Sequence, residues 1–294
     1  MSSLYISIIL LMRVLQSTCS KKASSLLPES PGGKTKYFAY NSLFAAMFAF
    51  LVLLAEWDFS SFDIPTLCLA ALSGLSLAAS TIFSMLAIQG GTIVLSSMFG
   101  TAGILVPCIA GIFWFAQPMS WPQWLGIALL FVAAYLLIAS SKQIYNGFSL
   151  KTLLLLTGTL AANGLTMLFQ LFFSRQVPNG SVSLFSFLTF LIPSVVLFCA
   201  VPFLSKGRGA IDHMPKQLII LSLLLAFAVF IINQLATLTS ATVPPAILFA
   251  FINGGATIIA ALVGAALFHE KLTVRSVCGI LLGVAALIMI KAFE

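Results

Sequence analysis

Residues 243–268 read VPPAILFAFINGGATIIAALVGAALF, a stretch that contains no charged residue. A helix rises 1.5 Å per residue, so a stretch of this length can cross the ~30 Å hydrocarbon core of a bilayer. The stretch lacks the alternation of a membrane strand, and an unpaired strand would leave its backbone polar groups unsatisfied in lipid. It therefore predicts a transmembrane helix.

The composition of the whole chain agrees with this stretch. Of 294 residues, 61% are hydrophobic and only 7% are charged, whereas soluble proteins carry about 25% charged residues. The mean hydropathy is +1.13. These values exclude a soluble globular protein and predict an integral membrane protein whose solvent is the lipid bilayer.

Ten apolar runs are separated by short polar breaks, and together they predict an all-α integral membrane protein with ten transmembrane helices. The longest breaks, Ser20–Lys36 and Ser205–Lys216, are too short to hold a folded domain. The runs cover approximately Leu4–Cys19, Tyr37–Ala55, Ile64–Ile88, Ile93–Phe115, Trp121–Ser140, Leu150–Phe173, Val182–Leu204, Gln217–Leu238, Val243–Phe268 and Val274–Ala292.

The distribution of the basic residues predicts the orientation. With ten helices, the loops on one side carry eleven Lys and Arg residues, and the loops on the other carry only Arg175 and Lys291. Short loops rich in Lys and Arg stay in the cytoplasm, so we expect a bacterial-type cytoplasmic membrane protein with both termini outside. The net charge of +7 thus reflects topology, and no nucleic-acid partner is expected. The eleven are Lys21, Lys22, Lys34, Lys36, Lys142, Lys151, Lys206, Arg208, Lys216, Lys271 and Arg275.

An internal duplication is visible at a spacing of 153 residues. Gly111 then aligns with Gly264, and Gly126 with Gly279. Identities at this spacing barely exceed the expectation from composition, but each half repeats a Gly-containing helix, a terminal Phe and a short polar hairpin. Five helices per half would insert the second copy upside down, so we predict two inverted five-helix repeats, residues 1–140 and 150–294.

The hairpins resemble those of a known family. Phe268-His269-Glu270-Lys271-Leu272-Thr273, followed by Gly279-Ile280-Leu281-Leu282-Gly283-Val284, is similar to the signature of EamA-like members of the drug/metabolite transporter superfamily. The first half echoes it with Phe115-Ala116-Gln117-Pro118-Met119-Ser120, where Gln117 replaces the usual glutamate. The resemblance implies ten helices and export of amino acids, related metabolites or drugs. It also implies cytoplasmic termini, against the charge distribution, which we follow.

Arg13 is the only charged residue well inside a run. A charge in the hydrocarbon core costs at least ~2.5 kcal/mol, so such a residue suggests a functional site. Arg13 is a candidate to bind a carboxylate, phosphate or other anionic group of a small-molecule substrate. The alternative is that its side chain extends to the interface near Lys21.

Neutral polar residues near mid-helix form the second set of candidates. They suggest a polar cavity for substrate, and Asn253-Gly254-Gly255 is expected to loosen its helix and expose backbone groups. The alternative for each is a hydrogen bond between helices, typically worth ~0.6–2 kcal/mol. The candidates are Gln16, Asn163, Gln170, Asn233, Gln234 and Asn253.

Three further residues are candidates for gating or for hairpin structure. Pro107 and Pro193 interrupt their runs and are candidate hinges, because proline removes a backbone donor. Glu270 follows the ninth run and either titrates as part of a gate or anchors the hairpin. No Asp, Glu or His lies deep in a run, which argues against coupling through a buried carboxylate.

These features favour a secondary transporter for a small metabolite that works by alternating access, with a passive channel or pore as the alternative. No catalytic motif or metal-ligand spacing is visible, so neither an enzyme nor a cofactor is expected. Gly279-x-x-x-Gly283 permits close helix contact, either in a homodimer or within the bundle.

Overall fold

The computed structural model describes residues 2–28, 30–56, 63–89, 93–139, 150–205, 214–269 and 273–293, and within these ranges every regular element is helical. The helices are α1 (Ser2–Ser24), α2 (Pro31–Glu56), α3 (Ile64–Gln89), α4 (Ile93–Ala102), α5 (Leu105–Phe115), α6 (Trp121–Ala139), α7 (Leu150–Gln176), α8 (Val182–Ser205), α9 (Lys216–Ser240), α10 (Pro245–Phe249), α11 (Gly255–Phe268) and α12 (Val274–Ala292). A π-helical segment, Ala250–Gly254, joins α10 to α11.

The structure confirms an all-α, multi-pass membrane fold. Nine helical spans within the described ranges are long and apolar enough to cross a membrane, and the shorter apolar helix α6 supplies the tenth. The connection between the first two helices is shorter than the polar break Ser20–Lys36, because α1 continues to Ser24 and α2 begins at Pro31. Hydropathy detects only the part of a helix that lies in lipid, and these helix ends carry lysines that belong in water.

The fourth predicted run is divided into α4 and α5 by a turn at Gly103 and Ile104. Pro107 has no N–H to donate to the Gly103 carbonyl, which instead accepts from the Val106 N–H at 3.1 Å. The interruption expected near Pro107 is therefore present. By contrast, α8 runs through Pro193 without a break.

The ninth predicted run is also interrupted. It begins with Pro244 and Pro245, which suit the first turn of a helix because their missing N–H groups would have no partner there. The π-helical segment then interrupts the helix at Asn253 and Gly254, where the sequence predicts a loosened backbone. The two interrupted runs, the fourth and the ninth, are each the fourth of the five runs in their half of the chain.

Long-range packing brings distant helices together in the bundle. Helix α2 packs along α8, and α6 packs along α12. Helix α3 packs against α7 and α8, while α1 and α2 pack against α9, and α1 also contacts α11. Small side chains at Ala45 and Ala49 of α2 admit Phe190 and Phe230 into one buried cluster. This arrangement places α1, α3, α7 and α9 around the polar centre described below.

Helices α6 and α12 approach closely through two glycines. A Cβ atom added to Gly126 would lie 3.2 Å from the Ala286 carbonyl oxygen, and one added to Gly279 would lie 3.2 Å from the Ala133 carbonyl oxygen. At Gly283 an added Cβ would meet Ile258 at 2.9 Å. The Gly279-x-x-x-Gly283 motif therefore packs within the bundle, and a homodimer stays a prediction.

The two hairpins end their first helices in the same way. Ala116 (φ 48°) and His269 (φ 52°) both adopt the left-handed conformation, and their N–H groups donate to Gly111 and Gly264 respectively. In the next turn, the Ser120 N–H donates to Gln123 Oε1 at 2.9 Å. This bond is one half of a capping box. Glu270 lies outside the described residues, so neither role predicted for it is tested.

Candidate functional site

A central cavity of about 270 Å³ lies among α1, α3, α7, α8, α9 and the broken helix α10–α11. Its lining includes six of the seven polar candidates of the sequence and leaves out Gln234. The six are Arg13, Gln16, Asn163, Gln170, Asn233 and Asn253. The fold thus brings together residues from four separate runs, although their role in binding substrate stays a prediction.

Arg13 contributes the positive charge of the central cavity. Its Nη1 donates to Gln16 Oε1 at 2.6 Å, across one turn of α1. Its Nε is buried and has no hydrogen-bond partner. A buried donor without a partner costs about 1–3 kcal/mol, and an unpaired buried charge costs more. An anion bound in the cavity would recover part of this energy.

Asn163 links the cavity to the break in the fourth run. Its Nδ2 donates to the Gly100 carbonyl at 2.6 Å, in the last turns of α4. The Gly100 carbonyl also accepts from the Gly103 N–H at 3.2 Å, in the turn that ends α4. A side chain on α7 therefore stabilises the end of α4 where it borders the cavity.

Asn253 lies on the other broken helix, within the π-helical segment itself. Its Nδ2 donates to the Phe249 carbonyl at 3.1 Å and approaches Met167 Sδ at 3.7 Å. The backbone carbonyl of Asn253 accepts from Thr257 Oγ1 at 3.1 Å. The side chain thus satisfies a carbonyl at the start of the π-helical segment.

Gln170 and Asn233 are more deeply engaged in contacts between helices. Gln170 is only 6% exposed, and its Nε2 donates to the Asn233 carbonyl at 3.1 Å and to Thr237 Oγ1 at 2.8 Å. Gln234 binds two serines of α8, accepting from Ser186 Oγ at 2.7 Å and donating to Ser183 Oγ at 2.9 Å. These bonds join α7 and α8 to α9, which is the structural alternative considered for such residues.

A larger cavity of about 730 Å³ begins at Asn163 and reaches the side where α1 ends and α2 begins. We call this the access cavity, and that side the basic side, since Lys34 lines its mouth. Asn163 lines both cavities. Hydroxyl groups dominate the polar wall of the access cavity, supplied by Ser24, Ser25, Ser80, Thr81, Ser84, Ser96 and Thr159.

Sequence reasoning missed the hydroxyls of the access cavity. Ser80 and Ser84 are spaced i and i+4, which places them on one face of α3. The Ser84 and Ser96 hydroxyls lie 2.9 Å apart and join α3 to α4. The spacing on α3 was a usable signal, but isolated serines are common in apolar helices and carry little information without their neighbours.

On the opposite side of the bundle, Arg175 at the end of α7 bonds to the end of α9 and to the connection that follows it. Its Nε donates to the Ser240 carbonyl at 3.0 Å, and its Nη2 donates to the Val243 carbonyl at 3.1 Å. The guanidinium also lies over the Phe115 ring, 5.1 Å from its centroid. We call these contacts the Arg175 latch. Sequence reasoning used Arg175 only as a topology marker.

Comparison with known proteins identifies the fold but no family. No family model matches the chain, and no curated protein matches it. A solved crystal structure, described only as that of a protein, superposes with a TM-score of 0.78 at 11% sequence identity. The match covers 97% of this chain and 95% of the other. At this identity the likeness establishes a shared fold alone.

Proposed function

We propose that this protein is a secondary transporter that moves a small metabolite across the cytoplasmic membrane by alternating access. One observation carries the proposal: a polar central cavity and an access cavity on the basic side share Asn163 in their linings, while the Arg175 latch lies on the other side. A carrier caught in one of its two end states has this asymmetry. A membrane enzyme fits less well, since the described polar side chains that line the two cavities are amides, hydroxyls and the cations Arg13 and Lys34, without a nucleophile–base pair.

We further propose that the chain consists of two inverted repeats, residues 1–140 and 150–294. Three pairs of features at the 153-residue spacing support this: the left-handed caps Ala116 and His269, the close-packed glycines of α6 and α12, and the two broken helices. The packing is reciprocal as well. In the two repeats α7 is the counterpart of α1 and α3 is the counterpart of α9, and α1 packs against α9 just as α7 packs against α3. Interrupted helices at matching positions of two halves typically border the substrate site of a transporter.

The family proposal is an EamA-like member of the drug/metabolite transporter superfamily. It rests on the hairpin motifs and on a helix count that agrees with that family. The resemblance implies that the substrate is an amino acid, a related metabolite or a drug, and that transport is outward. We retain the orientation given by the charges, with the basic side in the cytoplasm and both termini outside.

The alternative function is a passive channel, which needs a continuous polar route through both leaflets. The two cavities that share Asn163 extend from Lys34 to the centre of the bundle. Beyond it lie the Gln170–Thr237 bond and the Arg175 latch. This asymmetry favours a carrier.

Transport assays in proteoliposomes separate the two functions. Amino acids, nucleosides, sugars and cationic drugs would first be screened for those that raise the thermal stability of the purified protein. A carrier would then show saturable uptake of a stabilising compound that accelerates when the vesicles are preloaded with it. Unsaturated conductance, without stimulation by preloading, would refute the carrier.

A matched pair of variants on α7 tests the site. Asn163→Ala is expected to lower flux about ten-fold, because loss of a buried hydrogen bond costs about 1.4 kcal/mol. Thr157→Ala is the control, because Thr157 is exposed on the same helix and bonds only within it. Equal flux in both variants, with equal thermal stability, would remove Asn163 from the site.

A further inference from the structure

We propose that the central cavity binds a small organic anion, with a planar carboxylate on Arg13 and an apolar body against the neighbouring wall. The proposal rests on the transporter function and names the class of its substrate. Three observations on the cavities support it: their charge, their route of entry and their size.

The charge of the central cavity is positive and unbalanced. Arg13 has Gln16 as its hydrogen-bond partner, and its buried Nε has none. No carboxylate is found among the residues that line either the central or the access cavity. The acids in the described ranges, Glu56 and Asp63, lie where α2 ends and α3 begins, away from the basic side. An anion from outside the protein is the group that would balance Arg13.

The geometry of a guanidinium favours a carboxylate. Arginine presents parallel N–H groups that match the two oxygens of a carboxylate. Gln16 occupies Nη1 and leaves Nε for another acceptor. An amide oxygen offers one acceptor without charge and is a poorer partner for this group.

The access cavity also favours the entry of a negatively charged molecule. Lys34 stands at its mouth, and Arg13 lies in the central cavity beyond Asn163. Between them, the bonded hydroxyls of Ser84 and Ser96 use one proton for each other, and the second proton can be donated to an anion without adding charge. A cation entering by this route meets two like charges and no acid among the described residues that line the two cavities.

The size and wall of the central cavity define the rest of the substrate. At about 270 Å³ it lies just below the ~300–1,000 Å³ range of pockets for drug-sized ligands. Phe190, Phe249 and Ile252 provide an apolar wall. An ammonium group has no carboxylate to pair with here, so a simple carboxylate fits better than the corresponding amino acid.

The test compares molecules that share a phenyl body and differ in charge. Phenylacetate, phenylacetamide, phenylalanine, phenethylamine and phenyl phosphate would be titrated into the purified full chain, with binding measured by calorimetry and thermal unfolding. We expect phenylacetate to bind at least about ten-fold more tightly than phenylacetamide. In Arg13→Gln that preference should disappear. In Lys22→Gln, which removes an exposed cation on the same helix outside both cavities, it should remain.

Several outcomes would overturn the proposal. These are equal binding of phenylacetate and phenylacetamide, tightest binding of phenethylamine or phenylalanine, tightest binding of phenyl phosphate, and no binding of any anion at millimolar concentration. If Arg13→Gln does not fold, Arg13→Lys replaces it. That variant keeps the charge and loses the parallel N–H groups of the guanidinium. It should therefore weaken phenylacetate binding, while phenylacetate still binds more tightly than phenylacetamide.

The same probe separates this inference from the transporter proposal. Phenylacetate that binds through Arg13 but shows no exchange across proteoliposomes would support the anion site and refute transport of that anion. Saturable exchange of a neutral or cationic compound, unaffected by phenylacetate, would support transport and refute the anion site.

Discussion

Arg175 Nε donates a 3.0 Å hydrogen bond to the Ser240 carbonyl and so joins the end of α7 to the end of α9. The Ser240 hydroxyl in turn donates to Ser174 Oγ at 2.7 Å. A charged donor thus pairs with a carbonyl at a helix C-terminus, where the helix dipole favours a cation. The contact lies between the central cavity and the side opposite the access cavity, which makes it a candidate gate.

Arg175→Ala is expected to open that side. Loss of its bonds to two carbonyls should cost about 1.4 kcal/mol, which corresponds to about a ten-fold shift toward a state open on that side. A cysteine introduced at Ala236, which lines the central cavity, would be labelled by an impermeant maleimide in a cysteine-free background. When the reagent is added from the side of the Arg175 latch, the labelling rate should rise about ten-fold in Arg175→Ala.

The control for the latch is Lys291→Ala, which removes a cation from the last turn of α12 on the same side. Labelling at position 236 should not change in this variant. A similar increase in both variants would mean that general loss of charge, rather than the Arg175 latch, controls the opening.

The crossing of α6 and α12 should not tolerate a methyl group. In Gly126→Ala the new Cβ would lie 2.5 Å from Ile290 Cγ1, and in Gly279→Ala it would lie 2.9 Å from Leu137 Cγ. Overpacking of this kind costs about 1–3 kcal/mol. Both variants should therefore unfold at a lower temperature in detergent.

Gly100→Ala is the matched control for these glycines. Its added Cβ would meet no atom closer than Thr159 Cγ2 at 4.0 Å, and alanine favours a helix over glycine by about 1 kcal/mol. Its thermal stability should be unchanged or higher. A loss as large as that of Gly126→Ala would show that the close approach of α6 and α12 is not the cause.

Cysteine labelling in spheroplasts tests the orientation. Ser25 and Asn179 are exposed and lie in connections on opposite sides, the first after α1 and the second between α7 and α8. In a cysteine-free background we expect an impermeant reagent to label Asn179→Cys and not Ser25→Cys, because basic loops stay in the cytoplasm. The reverse pattern would place the termini inside, as the family resemblance implies.

The substrate-site candidates show how far sequence patterns extend. Arg13 and Asn253 are conspicuous because polar groups are costly in lipid, and that cost is a property of each residue alone. The sequence therefore predicts which side chains avoid lipid. It does not predict that Gln170 bonds to Thr237, while Arg13 Nε has no partner, because those outcomes depend on how the helices pack.

The sequence by itself determined the all-helical membrane fold and the positions of its spans, because hydrophobic length and the lack of water in the bilayer act on each segment separately. It also marked the hairpins, whose glycines and capping residues are local signals. Only the tertiary structure decided that Asn163 lines two cavities, that Gly279 packs on α6, and that Arg175 bonds to the end of α9. These relationships connect residues far apart in the chain, and packing selects them from many arrangements that the same apolar helices permit.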